Sequence, residues 1–221
     1  MASRSHQVSA YYQLFGTLRS LYEMSFSQLT SPQELHGRNG PSFNGLSAFM
    51  LTVAVWESYL NFVFFSPWTK VHFGISTFEQ MQALKSGLDK MSILEKSSCL
   101  PLIAFGKTFR KDAKPFQDLK DIVSIRNAAT HNFMETAPEK AISAIRARGL
   151  LLPKPILPCE SQSWDQELST LEVIRWCMNT IGNLNEKLLT FPVKPSSSWR
   201  STFGVFPPSY ADRLIKKRFQ A

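Results

Sequence analysis

The residues best able to do chemistry in this sequence are an arginine, an asparagine and a histidine that fall within six positions, at Arg126, Asn127 and His131. An arginine carries a permanent positive charge on a planar guanidinium group that binds phosphate, and a histidine is the side chain that exchanges protons near neutral pH. Cleavage of a phosphodiester without a metal ion requires both abilities. The three residue types together therefore point to RNA chemistry.

The segment that carries these residues is predicted to be a helix from about Phe116 to Glu135. Its apolar residues recur at the spacings of three and four that are typical of a helix with one buried face: Ile122, Ile125, Ala129 and Phe133. Five residues of helix rotate His131 by roughly 140° from Arg126, so only Asn127 and His131 share a face. We therefore expect a catalytic form of this chain to be a homodimer whose two motifs face each other across a two-fold axis.

A purely structural role of the same residues is the alternative. In that interpretation Arg126 forms an ion pair with Glu57 or with Asp121, and His131 caps a helix or packs in the core. The spacing of Arg126 and His131 is common by chance, so the residues alone do not decide between the two roles.

The rest of the chain indicates an all-α fold, most simply an up-and-down helical bundle, because helical periodicity recurs and strand patterns are nearly absent. We expect helices over residues 5–29, 46–65, 77–97, 101–109, 116–135, 138–148 and 165–189. Residues 1–190 are predicted to form the helical domain, and residues 191–221 a Pro- and Ser-rich linker with a basic tail.

The stretch 46–65 is nearly continuously apolar and long enough to span a bilayer. Glu57 near its middle and Asn61 one turn later would both be costly in lipid, so we expect a central helix buried on all sides and no stable membrane insertion. The polar first residues lack the apolar core of a signal peptide, and the three cysteines form no pairing motif. These features predict a cytoplasmic protein.

The net charge of +8 suggests an anionic partner such as RNA. From Phe191 onward, six cationic side chains face one carboxylate, so this stretch supplies +5 of the +8 and the body is close to neutral. The basic cluster is a candidate RNA-binding tether, and a solvated chain end explains it equally well. Its members are Arg213, Lys216, Lys217 and Arg218.

Other chemistries lack their usual residues. The remaining histidines, His6, His36 and His72, are scattered and form no metal-binding motif with carboxylates, so neither a metal nor another cofactor is expected. A nucleophile elbow and a glycine-rich phosphate loop are also missing from the sequence.

Four segments, taken in order, resemble the HEPN superfamily, many of whose members are metal-independent RNases of toxin and antiviral defence systems. The stretch 126–131 is similar to its catalytic motif, in which an arginine and a polar residue precede a histidine. Residues 54–61 resemble an earlier apolar helix with an acidic residue and an asparagine four positions later, here Glu57 and Asn61. Residues 92–96 resemble a short element that contains leucine, glutamate and lysine, and residues 172–177 resemble the final helix. The likeness covers residues 7–189.

This resemblance implies that the RNA 2′-hydroxyl attacks the phosphate. His131 would act as general base or acid, Arg126 would neutralise the developing charge, and Asn127 would orient the phosphate or the imidazole. Glu57 would support the site, with Arg126 as a plausible buried partner, or it would simply satisfy the core. Asn61 would support the site or form a hydrogen bond between helices.

The expected function is an endoribonuclease, acting as a toxin or an antiviral effector on RNA such as tRNA, with an antitoxin or another regulatory protein as a further partner. The competing hypothesis is a non-catalytic helical module of the same fold that binds a partner protein or a nucleotide.

Overall fold

The computed structural model describes residues 3–27, 45–65, 82–83, 86–87, 89–130, 138–151, 164–168, 170–191 and 206. The helices of these ranges are α1 (Ser3–Ser27), α2 (Gly45–Phe65), α3 (Ile93–Phe105), α4 (Phe116–Thr130), α5 (Glu139–Ala147), the short α6 (Trp164–Glu167) and α7 (Leu171–Leu189). No strand occurs among the described residues. The all-α prediction is confirmed for this part of the chain.

Helix α2 is the centre of the packing, because it contacts α1, α3, α4, α6 and α7. The side of α2 that includes Phe49, Trp56 and Tyr59 is completely buried. Its opposite side, which includes Ala54 and Asn61, is only half-buried. The expectation of burial on all sides is therefore wrong for one face. By length and composition α2 could also cross a membrane, although the core helix of a soluble protein passes the same test.

Helix α3 departs from the predicted boundaries. Two helices were expected on either side of residue 100, whereas α3 runs from Ile93 to Phe105 and contains Pro101. A capping box fixes the start of this helix: the Ser92 hydroxyl accepts from the Glu95 N–H, and the Glu95 carboxylate accepts from the Ser92 N–H. This pair satisfies backbone donors that the start of a helix leaves unpaired. The helix ends at Gly106, whose φ of 64° lies in the left-handed region.

Two sets of contacts set the direction of α4 relative to α2. At the start of α4, the Phe109 ring lies 6.0 Å from Phe116 and 6.4 Å from Trp56. Further along α4, Asp121 contacts Arg148, which lies over the ring of Trp176.

The Trp176 ring in turn lies 6.2 Å from Phe49. The start of α4 is therefore level with Trp56, and the next turn is level with Phe49, which precedes Trp56 on α2. The two helices run antiparallel.

The predicted extent of α4 is only partly covered. The helix begins at Phe116 as expected, and its described part ends at Thr130. Thr130 donates its hydroxyl to the carbonyls of Arg126 and Asn127, which satisfies acceptors at the end of the helix. His131 and the rest of the predicted helix lie outside the described residues.

Phe206 packs within the helical core, although it falls in the stretch predicted as linker and tail. Its ring lies 4.7 Å from Phe15, 5.1 Å from Tyr59 and 5.9 Å from Tyr11. Its N–H donates to the side-chain carbonyl of Asn185 at 3.3 Å, and the Asn185 amide donates to the Tyr59 hydroxyl at 2.5 Å. This buried asparagine thus links α2, α7 and the C-terminal stretch.

Replacement of Phe206 by alanine should lower the free energy of unfolding by about 3–5 kcal/mol, because the change empties a pocket between packed aromatic rings. Urea unfolding followed by circular dichroism measures this difference. Leu102→Ala is the control, since Leu102 is 52% exposed and its loss should cost far less. Equal unfolding curves of the two variants would contradict the assignment of Phe206 to the core.

Candidate functional site

Arg126 lies near the described end of α4 and is half-buried. Helix α4 turns Ile122 and Ile125 into the core, which carries the base of the Arg126 side chain inward with them. The Nε atom of Arg126 is buried and has no hydrogen-bond partner in the described part of the chain. Asn127, the next residue, is exposed. A cation is therefore held partly out of water beside an accessible amide.

Glu57 is not the partner of Arg126, which corrects the first structural expectation. Its Oε1 atom lies 2.5 Å from the Lys96 Nζ, and the Lys96 side chain is almost fully buried. Lysines are rarely buried to this degree unless they are paired. Lys96 therefore takes the Glu57 carboxylate and joins α3 to α2.

Asp121 is not the partner of Arg126 either. The Nη2 atom of Arg148 donates to Asp121 Oδ2 at 3.2 Å and lies 2.9 Å from Asp118 Oδ1. The same guanidinium is stacked over Trp176, with its Cζ 5.1 Å from the ring centroid. Arg148 thus occupies both carboxylates of α4, and the structural alternative loses both proposed partners of Arg126.

The other buried carboxylates of the described chain are also paired. Glu167 lies 2.5 Å from Arg146, and Glu172 lies 3.0 Å from Arg175. Hydrogen-bond partners are also missing there for single buried atoms of Trp176 and Asn179, which are uncharged, and of Asp118 and Arg148, which form an ion pair with each other. In the part of the chain that the structure describes, Arg126 is a partly buried charge without a counter-ion. Burial of an unpaired charge is costly, and an anionic ligand would remove that cost.

Glu57 and Asn61 are not brought together with Arg126. Because α2 and α4 are antiparallel, Glu57 and Arg126 lie in opposite directions from the level at which Trp176 and Arg148 connect Phe49 to Asp121. Glu57 is eight residues from Phe49 on α2, and Arg126 is five residues from Asp121 on α4. Together these give a separation of about 20 Å along the helix axes. Asn61 is half-buried and its side chain makes no hydrogen bond with another described residue, so the expected bond between helices is absent there. Their supporting roles stay predictions.

The remaining predicted site residues lie outside the described residues. These are His131, which follows the described end of α4, and the four basic residues Arg213, Lys216, Lys217 and Arg218. Among the described residues, no group of three or more His, Cys, Asp or Glu side chains is placed to hold a metal ion.

Sequence reasoning did not single out Arg148, and it included Lys96 in the resemblance of residues 92–96 without assigning it a partner. The sequence gave only a weak sign that Lys96 is buried: it lies in the first turn of α3, directly after the capping-box residue Glu95. For Arg148 the sequence gave no sign of an ion pair beyond the position of this residue at the end of a short helix, before Gly149. Their partners are 39 and 27 residues away along the chain, so only the folded structure identifies the pairs.

Burial changes the acidity of two groups near these pairs. It raises the pKa of Asp121, and the charge of neighbouring Asp118 acts in the same direction, while Arg148 opposes the change. Burial also raises the pKa of Cys177 to about 12, against a hydrogen bond with Thr52. Cys177 is therefore a protonated packing residue at neutral pH and not a nucleophile.

Comparisons with known proteins return nothing for this chain: no family model matches it, and neither a curated protein nor a solved structure is significantly similar. The site must therefore be interpreted from its own residues.

Asp121→Asn should become more stable relative to wild type as the pH rises from about 3.8. The folded protein binds the Asp121 proton more tightly than the unfolded chain, so wild type loses this contribution as the pH rises through the folded pKa. The variant has no such loss. Urea unfolding at several pH values between about 3.5 and 7 measures the difference.

Asp112→Asn is the matched control with the opposite sign. A hydrogen bond from Arg110 lowers the pKa of Asp112, so wild type gains from its ionisation as the pH rises. The stability of this variant relative to wild type should fall with pH. Parallel trends in the two variants would contradict the assigned environment of Asp121.

Proposed function

We propose that this protein is a metal-independent endoribonuclease of the HEPN type. The observation that carries the proposal is that Arg126 has no counter-ion among the described residues, where Glu57 and Asp121, the two expected partners, are bound to Lys96 and Arg148. A half-buried guanidinium without a counter-ion is suited to a phosphate, which accepts two parallel hydrogen bonds from it. The antiparallel packing of α2 and α4 supports an up-and-down bundle of that superfamily.

In the proposed reaction, the RNA 2′-hydroxyl attacks the adjacent phosphorus and the bond to the 5′-oxygen breaks. His131 removes the hydroxyl proton or supplies a proton to the leaving oxygen. Arg126 binds the phosphate oxygens and stabilises the charge that develops on them. Asn127, exposed on the next position of α4, orients the phosphate or the imidazole. The products are a 2′,3′-cyclic phosphate and a 5′-hydroxyl.

The proposed active form is a homodimer with the two α4 motifs facing each other. Arg126 and His131 point in different directions on a regular helix, so a second copy supplies the group that one copy cannot place. In this proposal the protein works in the cytoplasm as a toxin or an antiviral effector on RNA such as tRNA, and an antitoxin or a regulatory protein controls it.

The second candidate is a non-catalytic helical module that binds a partner protein or a nucleotide. Arg126, which has no counter-ion among the described residues, also favours this candidate. Its guanidinium would bind the phosphate of a nucleotide or a carboxylate of a partner as well as it would bind the phosphate of RNA. The two candidates differ in their need for His131, which only the nuclease uses for proton transfer.

Purified wild type should cleave total RNA and tRNA in EDTA, and Arg126→Ala and His131→Ala should each lower the rate by about two orders of magnitude or more. Mapping of the cleaved ends should show cyclic phosphate and 5′-hydroxyl groups. Arg110→Ala is the control, since Arg110 is an exposed arginine paired with Asp112 and should leave the rate unchanged.

The outcomes separate the candidates. Cleavage that persists in His131→Ala at the wild-type rate would rule out the proposed mechanism. Binding of RNA or nucleotide by a folded wild type that never cleaves, with the binding lost in Arg126→Ala, would favour the binding module.

Replacement of Arg213, Lys216, Lys217 and Arg218 by glutamine should weaken RNA binding most at low salt. Each lost phosphate contact lowers the slope of log affinity against log salt by about 0.7 for a single strand. Fluorescence anisotropy with single-stranded RNA at several salt concentrations measures the slope. An unchanged slope would remove the basic cluster from the RNA-binding surface.

A further inference from the structure

We infer that four lysines around the start of α4 form a surface that binds the phosphate backbone of single-stranded RNA. This lysine patch consists of Lys107, Lys111, Lys114 and Lys120. The inference rests on the proposed function, because it takes RNA as the anion and adds a contact for the strand beyond the scissile phosphate. The lysines of the patch take no part in the proposed reaction itself.

The excess positive charge of the chain is confined to two stretches. The segment 107–120 holds five cationic side chains and two carboxylates, a net charge of +3. Residues 191–221 supply +5, so the two stretches account for the whole net charge of +8 and the rest of the chain is neutral. The segment 107–120 therefore carries the charge by which the helical domain attracts a polyanion.

The two carboxylates of this segment do not neutralise the lysines. Asp112 accepts hydrogen bonds from the Arg110 guanidinium, and the buried Asp118 forms an ion pair with Arg148, which lies outside the segment. The lysines of the patch are exposed, except for the half-buried Lys120, and none forms an ion pair with another described residue. Four ammonium groups thus lack a counter-ion in the part of the chain that the structure describes.

The connection between α3 and α4, which carries three of these lysines, is anchored to α2 and α3. Phe109 is buried, with its ring 6.4 Å from that of Trp56 on α2. The Thr108 hydroxyl donates to the Ser98 carbonyl on α3 at 3.0 Å. The core therefore sets the position of this backbone, and less loop freedom is lost when the lysines bind an anion.

The fourth lysine, Lys120, is held against the same connection. Its Nζ donates to the Lys111 carbonyl at 3.3 Å and lies 5.5 Å from the centre of the Phe116 ring. The Gln117 amide donates to the same carbonyl. These contacts hold the Lys120 ammonium in place without neutralising it, because neither partner carries a net negative charge. A phosphate oxygen would supply the missing counter-charge.

The exposed face of α4 extends from the patch towards the proposed site. Lys120, Ser124 and Asn127 are separated by four and three residues, so they lie on one side of the helix over a rise of about 10.5 Å. Ser124 and Asn127 are exposed. Arg126 lies about 120° round the helix from Lys120, so the patch does not contact the phosphate proposed for that arginine. A strand that leaves Asn127 along this face would reach Lys120 after about three stacked nucleotides.

Single-stranded RNA fits this surface better than an anionic membrane does. Surfaces that insert into membranes combine basic side chains with exposed apolar ones. The large apolar residues of the segment, Phe109, Phe116 and Leu119, are instead buried. Lysine binds phosphate as a point charge, so the patch should add affinity that does not depend on base sequence.

The test compares two full-length double variants that lose the same charge. Lys111→Gln/Lys114→Gln removes two exposed charges from the patch and keeps the Lys111 carbonyl, whereas Arg19→Gln/Lys90→Gln removes two exposed charges outside the segment. The probe is a fluorescein-labelled single-stranded 2′-O-methyl RNA, which lacks the nucleophile and cannot be cleaved. Fluorescence anisotropy at several salt concentrations measures its affinity, and circular dichroism checks the fold of each variant.

The patch variant should reduce the magnitude of the slope of log affinity against log salt by about 1.4, because each lost phosphate contact accounts for about 0.7. The control variant should keep the wild-type slope, and equal slopes of the two variants would overturn the inference. Lys111→Arg/Lys114→Arg keeps both charges and should bind like wild type. A loss as large as that of the glutamine variant would mean that the lysines act through the fold, which would also overturn the inference.

Further measurements separate this inference from the proposed function. With cleavable RNA the patch variant should raise KM and leave kcat nearly unchanged, because the patch does not touch the reacting atoms. A wild type that binds the probe through the patch and never cleaves RNA would reject the nuclease and retain the patch. Cleavage by wild type and patch variant with equal KM would do the reverse. Loss of binding to vesicles of anionic phospholipid, with RNA binding unchanged, would assign the patch to a membrane and overturn the inference.

Discussion

The pairing of buried charges is the constraint on which this structure depends. A carboxylate or a cation removed from water must find a counter-ion, because its desolvation is otherwise not offset. In the described chain the buried carboxylates of Asp118, Glu167 and Glu172 are paired with Arg148, Arg146 and Arg175, and none of these cations is Arg126. The distribution of ion pairs thus separates Arg126 from the charges that hold the fold together.

Ion pairs also determine which helices are joined to each other. Lys96 connects α3 to the central helix, Arg146 connects α5 to α6, and Arg148 connects the end of α5 to α4. Pairs of this kind, which are only partly buried, add little net stability compared with apolar packing, but removal of the more exposed member leaves a largely buried charge unpaired. They act as constraints on which helix ends meet, while the aromatic core around α2 provides most of the favourable burial.

Local periodicity was sufficient to predict the helical class and the positions of α2 and α4, because each has a long apolar face. It joined α6 and α7 into one helix over 165–189, whereas α7 begins at Leu171 after the Thr170 N-cap. It failed at α3, which begins at the Ser92 capping box and continues through Pro101, the residue that was predicted to start a separate helix. It also gave no sign that Phe206 enters the core, since one aromatic residue in a polar stretch has no period. The counter-ions of Glu57 and Asp121 could not be predicted because pairing across helices depends on register, which only tertiary packing determines.

The position of α4 along α2 also limits how the candidate site can work. Arg126 and Glu57 lie about 20 Å apart along antiparallel helices, so one copy of the chain cannot use both at one phosphate. In the proposed reaction the proton-transfer group would then come from the residues that follow α4, which include His131, or from a second copy of the chain. Glu57 has its counter-ion in Lys96 and needs no part in that chemistry to be satisfied. The charges of this protein therefore divide into those that are paired and join helices, and Arg126, which lacks a partner among the described residues and is suited to a ligand.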